Sequence, residues 1–233
     1  MKKIIIFGIC MFALVFMQFA NAQSVDDIVN KYVAAMGGKE KLASLKTVRL
    51  QGNLSVMGND VAMVITKKHL VGMRADISVM GTENYQIITP AKGIVFMPVQ
   101  GMSEPTPMTD DQLKASQSQL DLQGYLVDYK EKGTTIELLG NEKVDGDDNF
   151  KLKLTFKNGI VSTCFVSSKN YMITKTSAKR NVNGEEMDME VTYTNYKQNA
   201  DGYWFAYTTG SMQGETNYEK IETNITVDES IFK

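Results

Sequence analysis

Three kinds of residue in this chain are able to do chemistry, and each sits in a pattern that limits it. His69 is the only histidine. The alternation of His69, Val71, Met73, Ala75 and Ile77 places it mid-strand, with no Cys, Ser or acid pattern nearby. A catalytic dyad or zinc site needs partners at fixed spacing, so a structural histidine is expected. Glu186, Asp188 and Glu190 form the densest carboxylate row. Residues two apart share one strand face, and three such oxygens suit calcium. No calcium loop of the usual spacing is present, however, and carboxylates on an outer strand face are usually just solvated. Of the two cysteines, Cys10 lies in an N-terminal apolar run. That leaves Cys164 with neither a disulfide partner nor a thiolate metal set. No nucleophile elbow, zinc-protease helix pair or phosphate loop occurs. The expectation is no enzyme, no cofactor and no metal; the one catalytic option left would use Asp, Glu and Lys alone.

Methionine is the compositional anomaly. The 233 residues hold 15 methionines, three of them (Met1, Met11 and Met17) within the first 22 positions. The others fall mostly at strand positions that point with the apolar set. Their flexible, polarizable thioethers suit a wall that must fit variable acyl chains, or they simply fill a core. Phe150, Leu152, Leu154 and Phe156 alternate with Lys151, Lys153 and Lys157, the clearest one-sided strand in the chain. Met187, Met189, Val191 and Tyr193 face away from the carboxylate row, and Trp204 and the tyrosines read as core or cavity wall.

The chain opens with Lys2 and Lys3, an apolar run from Ile4 to Met17, and Ala20-Asn21-Ala22, a small-x-small cleavage pattern. Residues 1–22 are therefore expected to be a signal peptide, since the run is short of the roughly 20 residues a bilayer span needs. Cleavage leaves residues 23–233 as one domain, exported to the periplasm or secreted, with no stable membrane anchor. Of the 25 basic residues, Lys2 and Lys3 go with the leader, and all 27 acidic residues stay. A net negative chain without a Lys and Arg cluster argues against nucleic acid and against docking on an anionic membrane surface.

From Ser24 the pattern is helical: Val25, Ile28, Val29, Tyr32, Val33 and Met36 form one stripe. Ser24 and Asp27 are placed to cap its start, and Gly37-Gly38 to stop it. A short turn follows from Lys39 to Leu45, and then the period changes to two. Hairpin turns such as Met80-Gly81, Asp145-Gly146, Asn158-Gly159 and Asn183-Gly184 separate about eleven short strands, paired antiparallel with their neighbours. The stretch from Gly101 to Gln123 breaks this rhythm. It reads as a loop with an inserted helix capped by Thr109 and running to about Gln119, with Leu113 and Leu120 as its large apolar residues. Such a helix acts either as a lid or as a mere connection. Many strands with so few helices point to a mainly β fold, a strongly curved sheet or barrel wrapped around the helices. Its concave face offers more apolar area than two helices cover.

The chain resembles the LolA-like superfamily of periplasmic lipoprotein carriers and related lipid-binding envelope proteins, in the divergent form common in Bacteroidetes-type bacteria. The resemblance spans nearly all of the chain after the leader. It rests on the leader itself, on AAMGGKEKLASLKTVRLQGNL from Ala34 to Leu54, on the insertion at Pro107-Met108-Thr109, and on the ending Val227-Asp228-Glu229-Ser230-Ile231-Phe232. It implies an unclosed antiparallel barrel with helices as a lid over an apolar cavity for acyl chains. The best-known carriers have an arginine followed by proline on an early strand, where this chain reads Lys67-Lys68-His69-Leu70; Asp201 to Tyr207 also lacks an expected proline. These departures widen the implied role from lipoprotein transfer to binding of a lipid, a lipoprotein acyl chain or another apolar ligand in the envelope, with an envelope protein as a further partner. The cavity wall is then expected from Val33, Met36, Leu50, Leu54, Met63, Ile65, Met73, Ile77, Phe96, Leu152, Leu154 and Met189, and the lid from Thr109 and Leu113. The competing expectation is a fully packed β module that acts through protein contacts and has no ligand cavity.

Overall fold

The computed structural model describes residues 24–56, 58–182 and 185–233. The expected signal peptide and the Asn183-Gly184 turn lie outside the described residues. Helix α1, Val25–Ala35, begins where the sequence places it: Asp27 N–H donates to Ser24 Oγ at 3.1 Å, and the Asp27 carboxylate accepts from Ser24 N–H. Two acids in the first turn also favour the positive end of the helix dipole. The chain leaves the helix through Gly37 and Gly38 at φ +106° and +93°, angles that a side chain would strain. Helix α2, Lys39–Ala43, follows at once and buries Leu42.

Thirteen strands then form one antiparallel sheet. They are β1 Thr47–Val56, β2 Asn59–Lys68, β3 Gly72–Val79, β4 Thr82–Ile88, β5 Gly93–Phe96, β6 Thr106–Pro107, β7 Thr135–Val144, β8 Asp147–Thr155, β9 Val161–Ser167, β10 Ile173–Val182, β11 Glu185–Gln198, β12 Trp204–Ser211 and β13 Gly214–Thr223. The count exceeds the eleven expected, in part because β6, two residues long, lies inside the stretch read as strandless. The spatial order is β6-β5-β4-β3-β2-β1-β13-β12-β11-β10-β9-β8-β7. Every neighbour is a sequence neighbour except β1 and β13, so the first and last strands meet in the middle. β6 and β7 are left as free edges, and the curved sheet is not closed.

His69 differs from its expected place. It lies in the turn between β2 and β3, where Leu70 takes φ +56°, and not mid-strand. The turn falls there because Lys68 and Gly72 are the last residues paired between the two strands.

Helix α3, Asp110–Ser116, sits between the free edges, capped reciprocally by Thr109 and Gln112. A 3-10 turn at Gln117–Leu120 continues it. Two separate cores result. In the first, Ile28, Val29 and Tyr32 of α1 pack with Leu126, Val127, Ile136, Phe150, Leu152, Leu154, Cys164 and Val166. In the second, Met73, Ile88 and Leu120 pack with Ile65, Met108 and Leu113. The outer face of β3 is covered by the terminal 3-10 turn Glu229–Phe232, where a Cβ on Gly72 would come 2.6 Å from the Phe232 ring.

Leu152 is wholly enclosed in the first core. Leu152→Ala should therefore cost about 2 to 5 kcal/mol by denaturant unfolding, through lost burial plus the void left behind. Lys153→Ala, beside it on the outer face, should move stability by less than about 1 kcal/mol. Similar losses in both variants would contradict this packing.

Candidate functional site

The two cores stand apart under one curved sheet, and the space between them is not filled. Strand register fixes which side chains reach it. On one side Leu50 pairs with Ile65, and Ile65 with Ala75. On the other, Thr176 pairs with Val191, Ala178 with Met189, and Tyr193 with Thr209. A cavity of about 590 Å³ lies among Ile65, Lys67, Phe156, Ser162, Thr176, Ala178, Met189, Val191, Tyr193, Thr209 and Tyr218, and residues from Ala115 to Tyr125 border it from the mid-chain segment. A second space of about 270 Å³ adjoins it at Gly124, Tyr125, Tyr193, Thr209 and Tyr218. It runs toward α1 between Tyr32, Met36, Leu42, Leu45, Leu50, Tyr196, Tyr203 and Trp204. The larger volume is within the roughly 300 to 1,000 Å³ usual for small-molecule sites.

The roof of this space is the segment joining the two free edges. Leu113 and Leu120 press on Met73 and Ile88, while Leu70 N–H donates to Leu120 O at 2.9 Å. Leu122 N–H donates to His69 Nδ1 at 3.2 Å, so that nitrogen must be unprotonated. Burial lowers the His69 pKa, Asp121 opposes this, and Lys132 and Lys46 reinforce it. The histidine is thus a docking post for the roof. Farther along, Lys132 Nζ holds Asp121 Oδ2 at 2.6 Å and Gly124 O at 2.9 Å. Tyr129 Oη and Lys130 Nζ each reach Asp26 of α1 at 2.7 Å.

The wall mixes apolar and hydroxyl groups. Burial raises the pKa of Tyr125, Tyr193 and Tyr218, so their phenols stay neutral and able to donate or accept. Thr176 Oγ1 and Tyr193 Oη lie 3.2 Å apart. Burial pushes the Cys164 thiol up to about 12, which removes the thiolate needed for reactivity. Lys67 is the exception among these uncharged groups. It borders the cavity, its ammonium donates to Gln119 O at 3.4 Å as its one hydrogen bond among the described residues, and its pKa is pulled down to about 8 by burial.

The positions expected on the wall divide among several places. Ile65 and Met189 border the larger space, and Met36 and Leu50 the smaller one. Leu54, Met63 and Ile77 lie on the concave face by register, with Met63 packed out of solvent, while Met73 is covered by Leu113 and Leu120. Val33 packs against the α1 core, and Leu152 and Leu154 are inside it, away from the cavity. Phe96 stands on the opposite, outer face: it pairs with Tyr85, which pairs with Asp76, and its ring lies 5.4 Å from that of Tyr85. Of the expected lid residues, Thr109 caps α3 and Leu113 anchors it. Sequence reasoning passed over Lys67, Thr176 and Thr209, whereas Tyr125 and Tyr218 are among the tyrosines read as core or cavity wall. The signal for Lys67 was its place next in the two-residue series Met63, Ile65, which puts it on the same face. Glu186, Asp188 and Glu190 do not gather a cation site with other ligands: among the described residues no group of three or more His, Cys, Asp or Glu is placed to hold a metal. Among the described residues, no helix is long and apolar enough to cross a membrane.

An unclosed, curved antiparallel sheet with helical covers over its concave face is the LolA-like fold. Its solved examples include a LolA superfamily protein from Nitrosomonas europaea, at TM-score 0.56 and 15% identity. A domain named for outer-membrane lipoprotein sorting from Vibrio parahaemolyticus reaches 0.52 at 16% identity, and a DUF1329 family protein from Desulfovibrio piger 0.50 at 14%. Each match covers 90% of this chain and 97% of the other. No family model matches the chain, and no curated protein matches it in sequence.

The buried charge on Lys67 has a testable energetic sign. Its pKa is near 8 in the folded state against 10.5 ordinarily, so at pH 7 the ammonium is charged in both states and the cost of burying it is fully present. Between those values the unfolded chain holds more protons, and stability from this group rises with pH. Lys67→Met should thus stabilise the protein at pH 7 by about 1 to 3 kcal/mol, with the gain shrinking between pH 8 and 10 in denaturant titrations. An equal gain at pH 7 and pH 9.5 would contradict the buried charge.

Proposed function

We propose that the protein is an exported, non-catalytic carrier or binding protein of the bacterial envelope. It shelters an apolar or amphipathic molecule, such as a lipid or lipoprotein acyl chain, between the two cores. The observation that carries this reading is the unfilled space of about 590 Å³ on the concave face. A fold whose concave face served only to stabilise it would cover these apolar walls, because apolar surface left open to solvent forgoes the gain from burial. That also weighs against the packed interaction module. The LolA-like fold supports the reading as a frame suited to such a cavity. An envelope protein that delivers or accepts the ligand belongs to this proposal, as does the periplasm as the place of action.

The roof supplies a physical route for entry. It is held on the β3–β4 side by a few apolar contacts and isolated hydrogen bonds, which break at lower cost than the continuous ladder of the sheet. A ligand displaces α3 without disturbing the strands.

Filling the cavity tests the proposal. Ala178 pairs with Met189 and borders the larger space. Ala178→Trp should weaken binding of a fluorescent fatty-acyl probe by about tenfold or more, with little fall in melting temperature. Failure of the parent protein to bind any acyl probe would refute the carrier reading.

A further inference from the structure

Lys67 is a charged group whose placement the strands dictate but whose partner the fold does not supply. On β2 it pairs with Val48 of β1 and Met73 of β3, in line with Met63 and Ile65 on the concave face. Its neighbour Lys68 is ion-paired with Glu229 of the terminal turn. Lys132, which also reaches the roof, is ion-paired with Asp121. Among the described residues no carboxylate forms an ion pair with Lys67, and no charged group acts on it; its one contact is the long one to the Gln119 carbonyl. Asp121 borders the same cavity but is already engaged, Oδ2 by Lys132 and Oδ1 by Gln123 N–H at 3.1 Å.

A half-buried ammonium with one weak acceptor is costly to the fold, and methionine or leucine at this position would be cheaper. The same ammonium becomes favourable when an anion enters, because a charge-assisted hydrogen bond is stronger than a neutral one and the ligand's own chain displaces water from around it. The rest of the cavity is uncharged apart from the neutralised Asp121. Ile65, Phe156, Ala178, Met189 and Val191 suit a hydrocarbon chain.

Resting on the proposed binding role, we infer that the ligand is a singly charged anionic amphiphile, with a long-chain carboxylate as its simplest form. Its head pairs with Lys67 beneath the roof, and its chain lies across the cavity toward Met189. One ammonium matches one negative charge, whereas a dianionic head would remain half-compensated.

Laurate and methyl laurate, used below micelle-forming concentrations, separate the charge from the chain. At pH 7 the intact protein should bind the acid about tenfold or more tightly than the ester, by displacement of a neutral fluorescent probe. Lys67→Met should abolish that preference by weakening laurate while leaving methyl laurate within about twofold, and Lys67→Arg should keep it. Equal binding of acid and ester by the parent would overturn the anionic assignment and leave the apolar-binding role standing. Retention of the acid preference in Lys67→Met would also overturn the assignment of this residue. Binding of neither probe would overturn the role and the inference together.

Discussion

The pairing of β1 with β13 is the constraint on which the rest depends. It joins the two ends of the described chain in the middle of the sheet, and so leaves the strands flanking the chain's midpoint, β6 and β7, as the two free edges. The pairing is close. Gly52 sits at a register shift where any Cβ would come 2.1 Å from Asn217 O, so only glycine lets the two backbones approach. At the start of β1, Thr47 binds the chain beyond β13, its carbonyl accepting from Asn224 N–H at 2.9 Å and its Oγ1 donating to Ile225 O at 2.7 Å. Because β6 and β7 are consecutive in sequence yet at opposite ends of the sheet, residues 108–134 must cross the concave face. The roof follows from the topology.

The energetics follow from that crossing. α1 is amphipathic and buries one stripe on β7 to β9, whereas α3 is seven residues long and buries no residue of its own. A helix that short has little intrinsic stability and is held by its caps and by Leu113 against the sheet. One strong cover and one weak cover leave the middle of the face open. The result is a space walled by strands on a continuous ladder and roofed in part by a short helix that buries no residue of its own.

Local signals in the sequence were faithful where one stretch decides its own conformation. Ser24 with Asp27, and Thr109 with Gln112, form the expected reciprocal caps, and Met80-Gly81 and Asp145-Gly146 take the positive φ angles that tight turns require. The curved, mainly β fold was legible from the same turns. What alternation cannot convey is which cover a face meets. Leu152 and Ile65 both lie on the concave side, yet α1 encloses one and the cavity meets the other, a difference set by chain crossing more than forty residues away in either case. Phe96 shows a second limit: β5 has only four residues, too few to fix its phase from pattern alone, and the pairing to Tyr85 turns the ring outward. Lys67 shows a third, since a lysine among apolar residues reads as a break in the stripe until the register shows it to be part of the stripe.

The central claim is that the space between the two cores is occupied by an amphiphile in the working protein. Native mass spectrometry on protein isolated without detergent tests it most directly. The account predicts a second charge-state series heavier by the mass of one lipid-sized molecule, which collapses to the bare chain on denaturation and yields an anionic amphiphile on extraction. A single series at the mass of the bare chain, unchanged after incubation with envelope lipids, would contradict it.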